Sequence, residues 1–262
     1  MKQWWIYGIV MMVILVSSQT TSPSYEVESF IGKVEYSSDG KIWKPVDVGM
    51  RLSKNSWVRT GQSSEVTMTY QGKRTLQVLQ QTVIQLKNLG TTETVKVKSG
   101  KIYLNVFTKL KGGEVIQVEN DVAVAAVRGT RFIIDYEENE ASTCTVVEGR
   151  VVLTRNVVLP AEVARDPEVK KLLTVEVKEN QKLSMTMDEN KSLEETIRRS
   201  KNNLAALKQA LSEAQRETMS RVMAIKNAER VLEELMQYDE ENSDNGEDET
   251  EDTVQKIKSK VK

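Results

Sequence analysis

Two arginines flank a Gly-Thr pair in AVRGTRF, residues Ala126 to Phe132, between the apolar runs VAVA and IIDY. Three kinds of chemistry suit that composition: a phosphate-binding loop, a catalytic corner, or a bend between two strands. A phosphate loop of the nucleotide-binding type needs a glycine, four residues, and then Gly-Lys-Ser/Thr. The Gly-Lys pairs here are IGKVE, DGKIW, QGKRT and SGKIY, and none has the hydroxyl residue or the earlier glycine. The chain has no histidine, which removes the commonest general base and the commonest metal ligand. The single cysteine, Cys144, rules out an intramolecular disulfide and a cysteine zinc cage. It lies in the β-rich run STCTVVEG and reads as a small buried hydrophobe. The carboxylates are numerous but scattered. These observations predict no enzyme, no cofactor and no metal ion.

A bend remains. Along one strand Val127, Gly129 and Arg131 would face one way, and Arg128, Thr130 and Phe132 the other. Gly129 permits a sharp turn or a close backbone approach. Thr130 can bond locally across the corner. The arginine stems can cover apolar surface while their heads pair with acids at the rim. The structural reading is therefore a corner made by Arg128, Gly129, Thr130 and Phe132. The alternative is that an arginine, Arg131 above all, binds a partner.

The elements that must hold this corner are mainly strands. From about residue 25 to 187 glycines recur at the spacing of an all-β fold, and apolar residues alternate with polar ones. In SEVTMTY, Val66, Met68 and Tyr70 share a face; further on, Val95 and Val97 alternate with lysines, and Ile102, Leu104 and Val106 continue a face beyond Gly100. SSDGK reads as a hairpin turn. LPAEVARDPEVKKLL breaks the pattern and predicts a short helix capped by Asp166, with Pro167 at its first position.

The flanking segments differ. Residues 1–18 have one lysine, an apolar run from Trp4 to Val16, and small polar residues, the order of a secretory signal or a retained anchor. Residues 188–238 contain no glycine or proline and carry SLEE as a capping box. Every seventh residue from Ile197 reads Ile197, Leu204, Leu211, Thr218, Ile225, Leu232, with Leu207 among the positions three later. This predicts a long C-terminal α-helix or coiled coil. Three uses of it remain open: docking on the β domain, a helical hairpin, or self-association through Leu204, Leu207, Leu211, Ile225 and Leu232. Residues 239–262 run from nine acids without a base to four lysines without an acid, and read as a disordered tail. The rest is near neutral, with no nucleic-acid footprint.

Taken in order, several pieces resemble a FecR-type domain between about Gly32 and Met185. They are GKVEYSSDGKIWKPVDVGMRLSKNSWVRTGQSSEVTMTY, VKSGKIYLNV, AVRGTRFII and CTVVEGRVVL. The resemblance implies an extracytoplasmic β domain, solenoid-like or sandwich-like, without catalysis and acting through protein contacts. In full-length regulators such a domain follows a cytoplasmic anti-sigma segment and a membrane helix. Here only Met1, Lys2 and Gln3 precede the apolar run, so no such segment is expected. Asn180 stands where the family usually has a glycine. The reading is a periplasmic or secreted protein with a protein partner in the cell envelope, touching the membrane only if residues 1–18 are retained, and a homo-oligomer if the helix self-associates. The alternative is a surface adhesin or glycan-binding module using exposed aromatics such as Trp43, Trp57 or Tyr103.

Overall fold

The computed structural model describes residues 22–107, 112–127, 129–200 and 202–234. The expected signal segment, Arg128 and the charged tail lie outside the described residues.

Two antiparallel layers, here called sheets I and II, pack on one core, and the chain passes back and forth between them. In sheet I lies β1 (Ser24–Ile31); β2 (Val34–Ser37) and β3 (Lys44–Pro45) follow in sheet II. The chain returns for β4 (Arg51–Ser53), crosses for β5 (Trp57–Thr60), and makes a hairpin in sheet I from β6 (Glu65–Tyr70) and β7 (Arg74–Val78). Then comes β8 (Val83–Asn88) in sheet II. The fifteen-residue β9 (Thr92–Val106) belongs to both layers: Thr94 to Ser99 pair with β8, and Ile102 to Val106 pair with β7. Beyond it lie β10 (Val115–Glu119) and β11 (Ala123–Val127) in sheet II, β12 (Arg131–Glu137) and β13 (Ala141–Glu148) in sheet I, and β14 (Arg150–Arg155) in sheet II. The short helices α1 (Ala161–Ala164) and α2 (Pro167–Leu172) precede β15 (Thr174–Lys178) in sheet II and β16 (Gln181–Thr186) in sheet I. Sheet I runs β4-β1-β6-β7-β9-β12-β13-β16, and sheet II runs β3-β2-β5-β8-β9-β10-β11-β14-β15. Among the described residues only β9 and β10 pair in parallel. The architecture is thus a sandwich in which β9 threads both layers.

Each passage between layers contains a residue with positive φ, among them Gly32, Gly100, Gly129, Gly149 and Asn180. Gly100, at φ +90°, is the pivot inside β9, and a Cβ there would lie 2.3 Å from Thr82 Oγ1 and 2.6 Å from Thr82 Cα. Thr82 crowds it for a reason: its hydroxyl accepts the Lys101 N–H at 2.9 Å and so satisfies a part-buried amide at the crossing. Inward side chains from both sheets, including Met68, Leu76, Leu104, Phe132 and Cys144 against Ile84, Val95, Ile116 and Val151, form the main core. Cys144 is buried, and that burial pushes its thiol pKa up, as a packing residue requires.

Within α2, Asp166 accepts the Glu168 and Val169 N–H groups with Pro167 at the first helical position, as expected. The long C-terminal helix is a correction. Strand β16 runs straight into α3 (Met187–Ser200), whose capping box is Thr186 with Glu189. SLEE therefore lies inside the helix. After a break α4 (Leu204–Ser220) begins with Asn203 as its cap, accepting the Ala206 N–H at 3.1 Å. It stops at Ser220, and β17 (Met223–Ala224) then pairs with the edge of β16. Residues 228–234 are helical again. The apolar series is used within the chain rather than along one rod. Ile197, Leu207 and Leu211 pack with Val163, Val169 and Leu173, whereas Leu232 packs elsewhere. Leu204 is exposed and Ile225 half-buried.

Candidate interaction face

The AVRGTRF segment is the passage from β11 to β12, and the change of layer resets the alternation. Val127 points into the core from sheet II and Phe132 from sheet I, so Arg131 faces outward although it shares parity with Val127. Gly129 has φ +62°, but a Cβ on it would meet nothing within 4 Å, so the conformation alone selects glycine. Buried Thr130 donates from its hydroxyl to the Arg150 carbonyl at 2.9 Å, tying this passage to that from β13 to β14. Three of the four corner residues thus have assigned structural contacts or geometry, and the fourth, Arg128, lies outside the described residues.

Arg131 does not point at empty solvent. Its Nε donates to Glu148 at 2.8 Å and its Nη1 to Glu229 at 2.8 Å. Its pKa is raised by the bond to Glu229 first, with Glu148 and the Tyr103 hydroxyl adding to it. Glu229 belongs to the helical segment 228–234. Beside this fork, Ala228 and Leu232 cover Tyr103, Ile133 and Val147, which project from the outer face of sheet I and form a cluster separate from the main core. Burial raises the Tyr103 pKa. A cleft of about 390 Å³ opens next to the fork, lined by Asn105, Phe107, Gly129, Thr130, Arg131 and Glu148. Phe107 at its edge is 59% exposed.

Asn180 explains a departure from the family pattern. It holds the positive φ of the β15–β16 passage at +57°. Its side chain also accepts the Ala228 N–H at 3.1 Å, and its carbonyl accepts the Ile225 N–H at 2.7 Å. A glycine would supply the geometry but not the side-chain acceptor.

Two further polar clusters are structural. Buried Arg155 donates to Asn190 Oδ1 at 2.7 Å, Glu189 at 3.0 Å and Thr218 Oγ1 at 2.9 Å, and Asn190 donates to the Val122 carbonyl at 2.7 Å. This network fastens α3 and α4 to the sandwich. Burial alone would raise the Glu189 pKa, but hydrogen bonds from Arg221 and Arg155 outweigh it and hold the carboxyl below its usual value. At the other site Glu93 and Arg74 are almost fully buried, 2.6 Å apart, with Tyr25 donating to Glu93 and the Arg74 guanidinium 4.3 Å above the Tyr70 ring. Arg74 Nε and Glu93 Oε2 are close without an aligned hydrogen bond, so the contact is chiefly coulombic. Burial raises the Glu93 pKa against the pull of Arg74.

Of the aromatic residues considered for an adhesin, Tyr103 is buried, whereas Trp43 and Trp57 are half-buried. The Arg59 guanidinium lies 4.3 Å from the Trp43 ring centre, Gly40 packs on Trp57, and Tyr103 lies under the 228–234 helix. Among the described residues no group of three or more acids and cysteines is arranged to hold a metal ion. No helix of the described residues is long and apolar enough to cross a membrane.

Residues 56–152 match the family model described as FecR protein. The chain carries a FecR-type domain. Its matched part runs from the start of β5 into β14 and contains β9, the corner, Tyr103, Ile133, Val147 and both Arg131 and Glu148. The strands that complete the two sheets around the FecR-type match lie on both sides of it. Two crystal structures from Parabacteroides distasonis, each described as of a candidate anti-sigma factor, are similar at 15% identity and a TM-score of 0.39. The similarity covers 50% of this chain and 55% of each of theirs, so it spans about half their length. No curated protein matches the chain.

Proposed function

We propose that this chain is a non-enzymatic signalling or scaffold component of the cell envelope, working outside the cytoplasm by binding another protein through its FecR-type domain. The observation that carries the reading is the family match itself, laid over a sandwich that includes the Arg131 corner. The FecR-type domain belongs to a regulatory class, which supports recognition rather than turnover. The apolar N-terminal run supports export.

A photo-crosslinker placed at Glu148, on the rim of the sheet I face, tests this in cells. The reading expects a discrete crosslinked protein in the envelope fraction and no such product from a probe at Glu176 on sheet II. Recovery of the chain from the soluble cytosol, or equal crosslinking from both positions, would contradict it.

A further inference from the structure

We propose that the outer face of sheet I around Tyr103, Ile133 and Val147 is a docking site for a short acidic amphipathic helix of a partner protein. In the structure, the chain's own segment 228–234 occupies it as an internal, displaceable ligand. The proposal rests on the reading of the FecR-type domain as a protein-binding module and names the chemistry of its partner.

The face is encoded inside the matched domain. In an antiparallel sheet with one face on the core, the other face is ordinarily polar. Leu104, Phe132, Ile134 and Val146 fill the core, so their strand neighbours Tyr103, Ile133 and Val147 project outward as an apolar trio. All three are nearly buried, at 7%, 3% and 5% exposure, with Ala228 and Leu232 packed on them. Arg131 stands at the rim with one donor satisfied by Glu148 in its own sheet and another turned to the helix, where Glu229 takes it. Residues 228, 229 and 232 fall on one helical face by their spacing. The ligand pattern is therefore an apolar residue, an acid next to it, and a leucine four positions after the first.

Among the described residues the occupant's further ties are the two bonds to Asn180, the two-residue β17, and Val222 packed against the main core. Lys226, Asn227, Arg230, Glu233 and Glu234 are exposed, and Arg230 pairs within the segment with Glu234. Tethering to the sandwich gives the segment a high effective concentration at this face. An outside helix with the same three residues would compete for the same face.

The test uses the full chain and a labelled synthetic peptide of residues 222–234. Wild type should bind the peptide weakly, because the face is filled. The full chain with Glu229→Arg and Leu232→Asp should bind it at least about tenfold more tightly, about 1.4 kcal/mol. Asn180→Gly keeps a turn-compatible residue and removes only the side-chain anchor; it should give an intermediate gain and serves if the double variant melts early. Adding Arg131→Glu to the undocked chain should cost the affinity gained, and a peptide with Glu229→Arg should recover it. The unmodified peptide, added to saturate wild type, should speed amide exchange at 228–234. Peptide affinity equal in wild type and a folded undocked variant overturns the proposal, as does unchanged exchange at 228–234. The purified components need no native partner, so failure here leaves the crosslinking result to judge the broader reading by itself.

Discussion

Gly100 and Gly129 perform the same topological task and are built differently. Both lie where the chain passes from sheet II to sheet I, and both have positive φ. At Gly100 the passage is closed off: Thr82 sits where a Cβ would go, and its hydroxyl serves the next amide. At Gly129 the conformation is kept but the space is open, and the outward neighbour Arg131 reaches a segment almost a hundred residues further on. One crossing is committed to architecture. The other leaves an outer face free to be covered, and in this structure residues 228–234 cover it.

That difference is measurable in denaturant melts. Gly100→Ala combines an unfavourable φ with overlap on Thr82 and should destabilise the chain by about 4–6 kcal/mol, near the upper sum of the two costs. Phe132→Ala, which empties a fully buried ring site next to the Gly129 corner, should cost about 3–5 kcal/mol. Gly129→Ala brings strain without overlap and should cost about 1–2 kcal/mol. If Gly100→Ala and Gly129→Ala cost the same, the contrast between the crossings is wrong. Arg131→Ala should cost only about 0–1 kcal/mol, since both its ion pairs are partly exposed. Its larger effect should be faster amide exchange in 228–234, which a purely structural arginine would not single out.

Much of the sandwich was legible because alternation reports the pleat directly. Val66, Met68 and Tyr70, and Ile102, Leu104 and Val106, are buried as their spacing requires. The Asp166 cap was legible because it is local chemistry. The Gly-Lys pairs were harder. IGKVE and SGKIY mark passages between layers, whereas DGKIW and QGKRT sit in turns, and the distinction depends on Ser64 and Thr82, which stand just before β6 and β8. Parity through AVRGTRF could not be read as one strand, because a change of layer resets which face is inward.

The C-terminal segment shows the opposite failure. No glycine or proline interrupts it, and its sevenfold apolar series fits one rod. Tertiary contacts decided otherwise: Asn203 caps a second helix, Leu207 and Leu211 meet α2, and residues 223–224 are drawn onto the edge of β16. An exposed strand edge invites pairing, and this short strand covers part of it. Asn180 gave a partial signal, since it stands where the resemblance implies a glycine. Its second role, anchoring Ala228, was invisible without the fold.

The most direct test of the account is hydrogen exchange on the unmodified chain, resolved by segment. The account predicts that amides of β9 and β12 exchange only with global unfolding, while those of 228–234 exchange far faster through local opening. Exchange of 228–234 at the same slow rate as β12 would contradict it, because the helix would then be a fixed part of the sandwich and the face beneath it would not be available to a partner.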